Sequence, residues 1–325
     1  MAPRIFGNIG ACLEGRESSY RAAMGQHKPF CGHADAEHDR MNLILISTCD
    51  MKGGRGDMLK RMIASVARAA PNIAGSLSLY LLLQRCSQRM CAKFSAPDFV
   101  KLAASDRLVS LSGARNLLLN LAFREELDWE NTLIAFPDDD GWYPPATLEM
   151  IVSTFTRERE LDFWFCRYAA EPASAGLPGQ PEPRVPRLPD VVRRASSNTI
   201  FLRGSLARRI CPFDEDLGVG TSNGSGEDTD LAVRAFILAR RSLYLDAATV
   251  GHRDPNSALR SRYYRGSLAV LASYVGATRG SLREFLRKLL IGAYLVARKE
   301  LTPRDFLAAA HAAFSRFGAQ RRIRV

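Results

Sequence analysis

Apolar residues fall in short blocks that alternate between two periods along this chain. Asn42 to Thr48 is a nearly unbroken apolar run of one buried strand's length, and it breaks into Cys49-Asp50-Met51-Lys52-Gly53-Gly54-Arg55-Gly56. Leu59, Met62, Ile63, Val66 and Ala70 then recur at helical spacing until Pro71 ends the helix. Leu77 to Leu83 is a second apolar run. Strand, loop, helix and strand predict a βαβ unit whose two strands are parallel and covered on both faces. Leu108 to Leu121 predicts a helix capped by Ser112, with Leu117, Leu118 and Leu121 turned inward. Thr132 to Phe136 is another strand, and Pro144-Pro145 opens a helix with Leu148, Ile151, Val152 and Phe155 on its inner face. Leu161 to Tyr168, Ser197 to Arg203 and Leu243 to Val250 complete the strands, and a helix starting near Gly226 buries Leu231, Ala235 and Leu238. The fold class is therefore α/β, a doubly wound, Rossmann-like nucleotide-binding sheet over residues 41–256 with a Pro/Gly-rich loop at 171–189. Residues 1–40 have no sustained period and predict a mobile leader.

The chemistry-bearing residues lie where these blocks end. Asp138, Asp139 and Asp140 follow the Thr132 strand directly, at the sheet edge where open α/β folds bind ligands. Three neighbouring carboxylates repel one another, so a cation beside them is the natural complement, and oxygen ligands suit Mg²⁺ or Mn²⁺. Taken alone, the same stretch is equally a solvated acidic turn. Gly226-Glu227-Asp228-Thr229-Asp230 opens a helix, where acids are ordinary capping residues. Beside a crevice, such a carboxylate can instead serve as a general base. Arg115 is expected in the first turn of its helix, where a cation is locally unfavourable, so it answers an anion such as a diphosphate or the acidic triplet. His252 ends the last strand and either ligates a metal or packs. The glycine loop after Asp50 lacks the GK[ST] ending of a phosphate-binding loop.

Charge changes the picture only at one end. The net charge is +11, yet from Ser257 onward there are fourteen Lys and Arg against three Asp and Glu, so the surplus belongs to the tail. A balanced body with a basic tail argues against a nucleic-acid-binding domain. Tyr263, Tyr264, Leu268, Leu271, Phe285, Leu286, Leu289 and Leu290 stand among those basic residues, predicting a basic amphipathic helical extension over 257–325. Two readings of it stand: the helices lie on an anionic membrane surface, or they dock on the catalytic domain with a solvated basic face. Seven scattered cysteines without a CxxC pair indicate neither a disulfide framework nor a zinc site, and fit a reducing, cytoplasmic setting. No signal-peptide core and no run of eighteen apolar residues is present, so neither export nor membrane spanning is expected.

In their order, Ser110-Leu111-Ser112-Gly113-Ala114-Arg115-Asn116, Phe136-Pro137-Asp138-Asp139-Asp140-Gly141-Trp142, Phe213-Asp214-Glu215 with Gly218 and Gly220, and Gly226-Glu227-Asp228-Thr229-Asp230 resemble the motifs of a family 2 glycosyltransferase of the GT-A fold. His252 at the end of the final strand fits the same pattern. The resemblance covers residues 42 to about 256. It implies an inverting, metal-dependent transferase of the kind that builds bacterial surface polysaccharides and exopolysaccharides. The donor would be a nucleotide-diphosphate sugar, a UDP-sugar first, and the acceptor a hydroxyl of a saccharide or lipid-linked glycan, in the cytoplasm or at the inner face of the plasma membrane. Under it, Thr48 and Asp50 border the nucleotide, Arg115 approaches the diphosphate, and Asp138 lies near the ribose and sugar with Asp139 beside it. Asp140 and His252 hold Mn²⁺ or Mg²⁺, Asp228 is the base and Glu227 helps place it. The second strand ends Gln84-Arg85-Cys86 where family members often carry acids, so Gln84 is the residue left to hydrogen-bond the base. Trp142 and Tyr143 offer an acceptor platform or pack in the core. Two other readings remain: a sugar-nucleotide nucleotidyltransferase, for which Gly53-Gly54-Arg55-Gly56 is misordered, and a non-catalytic membrane- or polyanion-binding adaptor on a degenerate transferase fold.

Overall fold

The computed structural model describes residues 40–176, 178–253 and 260–320, so the expected leader lies outside it except for Arg40. Seven strands form one sheet: β1 (Asn42–Asp50), β2 (Leu77–Gln84), β3 (Val100–Ser105), β4 (Thr132–Ala135), β5 (Leu161–Ala169), β6 (Ile200–Arg203) and β7 (Arg241–Gly251). Their spatial order is β3-β2-β1-β4-β6-β5-β7. β1 pairs in parallel with β2, as the βαβ pattern predicts, and on its other side in parallel with β4. β6 runs antiparallel to both β4 and β5. β3 was not legible in the sequence, and the strand foreseen from Ser197 starts with a 3-10 turn at Ser197–Thr199 before β6 begins.

Alternate side chains of each central strand feed opposite cores. Leu43 and Leu45 of β1 pack with α1 (Gly56–Ala69) on one face, joined there by α4 (Thr147–Arg157). Ile44 and Ile46 pack on the other face with α3 (Leu111–Ala122), α6 (Gly204–Ile210) and α7 (Glu227–Leu238). Burial on both faces explains why these strands read as continuous apolar runs. A short α2 (Gln88–Cys91) precedes β3. The Pro/Gly-rich stretch ends in α5 (Leu188–Arg194), one residue before the expected boundary at Pro189, and is pinned to the sheet. Arg184 and Tyr244 exchange backbone hydrogen bonds of 2.9 and 2.7 Å.

α3 starts earlier than expected. Ser110, not Ser112, accepts the capping hydrogen bond, from the Gly113 N–H, and Arg115 therefore sits in the second turn. Ser112 lies inside the helix and donates to the Leu217 carbonyl at 2.6 Å. Its inward face is Ala114, Arg115, Leu118, Leu119 and Ala122, with Leu117 and Leu121 only partly buried.

Arg203 locks the β6 corner. It is fully buried and donates to the carbonyls of Leu161 (2.9 Å), Phe155 (3.2 Å) and Glu158 (3.1 Å), the last two at the end of α4. Those are carbonyls a helix end leaves unpaired. Arg203→Met should cost about 3 kcal/mol because the buried acceptors lose their partner. An unchanged urea midpoint would contradict this role.

Beyond the sheet, α8 (Arg260–Ser273), α9 (Ser281–Ala297) and α10 (Pro303–Ser315) form a third core around Tyr264, Leu268, Phe285 and Leu295. α8 docks on the sheet domain. Its Val270, with Tyr274 just beyond it, joins the α7 core, and the Tyr274 hydroxyl donates to Asp230 at 2.7 Å. Gly266 allows the close approach, since a Cβ there would sit 2.1 Å from the Ser225 carbonyl. No helix among the described residues is long and apolar enough to cross a membrane.

Candidate active site

The three aspartates after β4 point to three different partners. Asp138 accepts from Arg115 Nη2 at 2.8 Å and from Asn198 Nδ2 at 2.8 Å, while its own N–H donates to Asn198 Oδ1 at 2.6 Å. Asp139 is buried and paired with Arg55 of the glycine loop at 2.8 Å. Burial raises the Asp139 pKa, with Arg55 and Cys49 opposing it. Asp140 turns toward the end of β7, with its Oδ1 3.2 Å from His252 Nε2 and its Oδ2 3.1 Å from Arg253 Nε.

Two backbone bonds bring the acidic loop and the β7 end together. Trp142 N–H donates to the Gly251 carbonyl at 2.9 Å, and Gly251 N–H returns one to Trp142 at 2.7 Å. Only glycine fits at 251, because a Cβ would lie 2.1 Å from the Trp142 ring. Arg61 covers that ring at 3.6 Å, and Tyr143 is buried in the core. Of the two aromatic residues after the aspartates, Tyr143 therefore packs and offers no platform.

Asp138, Asp140 and His252 each present a ligand atom, all within 4.8 Å of one another. The donor set fits a divalent cation on structural grounds. Both Asp140 oxygens are buried and, although within ion-pair distance of two cations, neither receives a hydrogen bond of good geometry. Orphaned, buried carboxylate oxygens are costly unless a charge answers them. Burial opposes the Asp140 charge, but His252, Arg253 and Arg55 outweigh it and hold the carboxyl below the usual range. His252 Nδ1 lies 2.9 Å from the Arg253 carbonyl and is placed to donate to it. Burial opposes the His252 charge, but Asp140 and Asp138 outweigh it and raise the pKa; a cation bound in the cluster would take the place of the Nε2 proton.

The other face of the site is acidic around one buried cation. Arg115 is 1% exposed, and its Nη1 has no hydrogen-bond partner while Nη2 holds Asp138. Glu227 and Asp228 at the start of α7 feel its charge. Burial, then Asp228, pushes the Glu227 carboxyl up to about 8, and its Oε2 is buried without a partner. Asp228 is only half-buried by solvent access yet closely surrounded, and desolvation raises its pKa as well. The Thr229 N–H opposes that rise by donating to Asp228 Oδ1 at 2.7 Å. Glu227 therefore holds a proton near neutral pH, and Asp228 is an accessible carboxylate more basic than usual.

Thr48, Asp50 and Gln84 sit at the adjoining ends of β1 and β2, already engaged. Gln84 donates to Thr48 Oγ1 at 2.8 Å and accepts from the Val109 N–H at 2.8 Å. Asp50 is gripped by Arg85 through Nε at 2.6 Å and through Nη2, and that contact lowers its pKa.

Sequence reasoning did not single out Arg55, Asn198 or Arg253. Arg253 follows His252 directly and could have been found by adjacency. Asn198 meets Asp138 across sixty residues, and nothing in its local sequence marks it. Asn198→Ala removes both bonds to Asp138 and should cost about 2 kcal/mol in urea unfolding. A loss under a few tenths of a kcal/mol would mean the loop is held by other contacts.

Solved structures share this architecture. S. aureus TarS superposes with a TM-score of 0.53 at 17% identity, over 76% of this chain and 43% of TarS. TarS 1-349 matches with a TM-score of 0.51 at 14% identity, over 86% of this chain and 89% of that one. TarS 1-349 in complex with UDP-GlcNAc gives 0.52 at 15% identity, over 86% and 90%. TarS is a GT-A glycosyltransferase of the family 2 type. This chain has the GT-A fold. No protein-family model matches the chain, and neither does any curated protein sequence. The chain spans less than half the length of the longer TarS structure it matches.

Proposed function

We propose that this chain is a metal-dependent, inverting glycosyltransferase that moves a sugar from a nucleotide-diphosphate sugar to an acceptor hydroxyl in polysaccharide biosynthesis. The observation that carries it is the Asp138–Asp140–His252 cluster across buried Arg115 from the Glu227–Asp228 pair, within a GT-A sheet. The UDP-GlcNAc bound in the TarS complex makes a UDP-sugar the first donor to try.

Asp140, His252 and Asp138 would hold a Mn²⁺ or Mg²⁺ ion, which would supply positive charge against the leaving diphosphate. Arg115 adds a fixed cation in a buried setting, where its Nη1 is still free to donate. Asp228 takes the proton of the acceptor hydroxyl as that oxygen bonds the anomeric carbon and the bond to the diphosphate breaks. Attack from the face opposite the leaving group inverts that carbon. Glu227, protonated, avoids placing a second negative charge beside the base. Thr48, Asp50, Gln84 and Asp139 border the donor, Asp139 by fixing Arg55 and Asp50 by fixing Arg85. The acceptor is a saccharide or lipid-linked glycan, and the setting is cytoplasmic or at the inner membrane face, where Cys49, Cys86, Cys91, Cys166 and Cys211 stay as free thiols.

Product analysis with a panel of UDP-sugars and Mn²⁺ tests this reading. Release of UDP supports sugar transfer, release of pyrophosphate would indicate nucleotidyl transfer, and no turnover with any donor and acceptor would favour the adaptor reading.

A further inference from the structure

The C-terminal helices dock through α8, through Glu284 of α9 on Arg193 and through Arg316 after α10 on Asp214 and Asp216, and leave a second face uncovered. Exposed large apolar side chains are scattered singly over the sheet domain, but Leu282, Leu286, Leu290 and Tyr294 of α9 and Leu307 and Phe314 of α10 gather them on one helix pair. Spacing by four residues keeps the α9 set on one slowly winding line. Leu290 is 71% exposed and Leu307 65%, which singly placed residues need not explain but a line of them does. The two helices are held as a unit by Phe285, which meets Phe314 edge-on at 5.9 Å.

Basic residues run alongside this line. Arg283 and Arg287 each follow an exposed leucine by one position, about 100° further round the helix. Residues 279–320 carry eight Lys and Arg against three Asp and Glu. Arg287 pairs with buried Glu284, Arg298 with Glu300 and Arg316 with Asp214 and Asp216, which leaves Arg279, Arg283, Lys299 and Arg304 as the exposed cations beside the line. An apolar line with a cationic flank is the surface of a helix that lies in a headgroup region. A second copy of this chain would bring like charge against like. A nucleic acid would leave the leucines in water.

We infer that the α9–α10 face seats the protein on an anionic phospholipid surface, with the apolar line in the headgroup boundary and Arg283 and its basic neighbours over the phosphates. α8 carries this face to the loop before Asp228: Ser225 Oγ donates to the Tyr263 carbonyl at 2.8 Å, and Gly266 packs on Ser225. The inference extends the transferase reading to where its acceptor lies, and vesicle binding is read without any sugar transfer, so either can fail alone.

The test is flotation of the full chain with vesicles of phosphatidylcholine alone or mixed with phosphatidylglycerol, at low and high salt. The full chain should float only with the anionic vesicles and be released by salt. Leu286→Asp/Leu290→Asp should cut the floated fraction at least tenfold with an unchanged melting temperature, since both side chains are already in water. Arg283→Glu should weaken flotation in the same direction. Failure to float with anionic vesicles, equal flotation of the double variant, or a shift of the double variant from dimer to monomer in solution would each overturn the inference.

Discussion

Asp140→Ala is expected to lower sugar turnover on the order of 10⁴-fold, because under the proposed mechanism a divalent cation held there would supply several kcal/mol at the leaving group and each tenfold is about 1.4 kcal/mol. Among the described residues, the Asp140 carboxylate faces only His252 and Arg253 at the end of β7, at 3.2 and 3.1 Å. Asp138 is shared with Arg115 and Asn198, whereas both Asp140 oxygens are buried without a well-formed hydrogen bond. Removing it should not unfold the protein, since Arg253 is half-exposed and its charge passes to water when the pair is lost. Initial rates of nucleoside diphosphate release at saturating Mn²⁺, beside a urea midpoint, separate the two effects. A variant with normal stability and turnover within tenfold of the unmodified protein would remove Asp140 from the mechanism. His252→Ala should act in the same direction with a smaller effect, as one ligand of three.

With Asp228 as the proposed base, Asp228→Asn is expected to lower kcat by about 10³-fold with little change in the donor KM, within the range general-base catalysis contributes. The amide keeps the shape and the Thr229 contact but cannot take a proton. Burial raises the Asp228 pKa, so the active, ionised form is lost as pH falls at a point above the usual carboxylate range. Glu227 acts at the other end. With its carboxyl pushed up to about 8, it ionises as pH rises through that value and sets a second negative charge beside the base. The profile of kcat/KM against pH should therefore fall on both sides. Glu227→Gln, which mimics the protonated acid, should flatten the alkaline limb and keep turnover within tenfold. If Asp228→Asn retains full kcat, the proton goes elsewhere.

Much of the sheet was legible because buried parallel strands write themselves as apolar runs: β1, β2, β4 and β7 and the helix α1 stand where the pattern puts them, whereas α4 starts only at Thr147, past the Pro144-Pro145 expected to open it, with Ala146 as a left-handed cap. β3 was hidden by its own chemistry. Val100-Lys101-Leu102-Ala103-Ala104-Ser105 breaks its apolar run with Lys101, whose charge is answered by Glu125 at 2.8 Å across the fold. α3 was misplaced by two residues since Ser110 and Ser112 are both plausible caps, and the choice is made by Leu217, which Ser112 bonds from a hundred residues away. In the site, residue types announced Asp138 to Asp140, Glu227, Asp228 and His252, but not how the acids divide. That Asp139 faces Arg55 and Asp140 faces His252 follows from the Trp142–Gly251 pairing, a contact between distant segments. The basic surplus of the tail was plain in sequence. Which faces of its helices dock and which stay open needed the packing of α8 on α7.

The most direct test of the account is the melting temperature of the full chain with UDP, with Mn²⁺ and with both, in the unmodified protein and in Asp140→Ala. A ligand that binds only the folded state raises the midpoint by mass action, by about 2.7 kcal/mol of stability at a hundredfold excess over Kd. The account predicts a rise that needs nucleotide and metal together and is absent in Asp140→Ala. An equal rise in the variant, or one with UDP that ignores Mn²⁺, would contradict a donor site that depends on a cation at Asp138, Asp140 and His252.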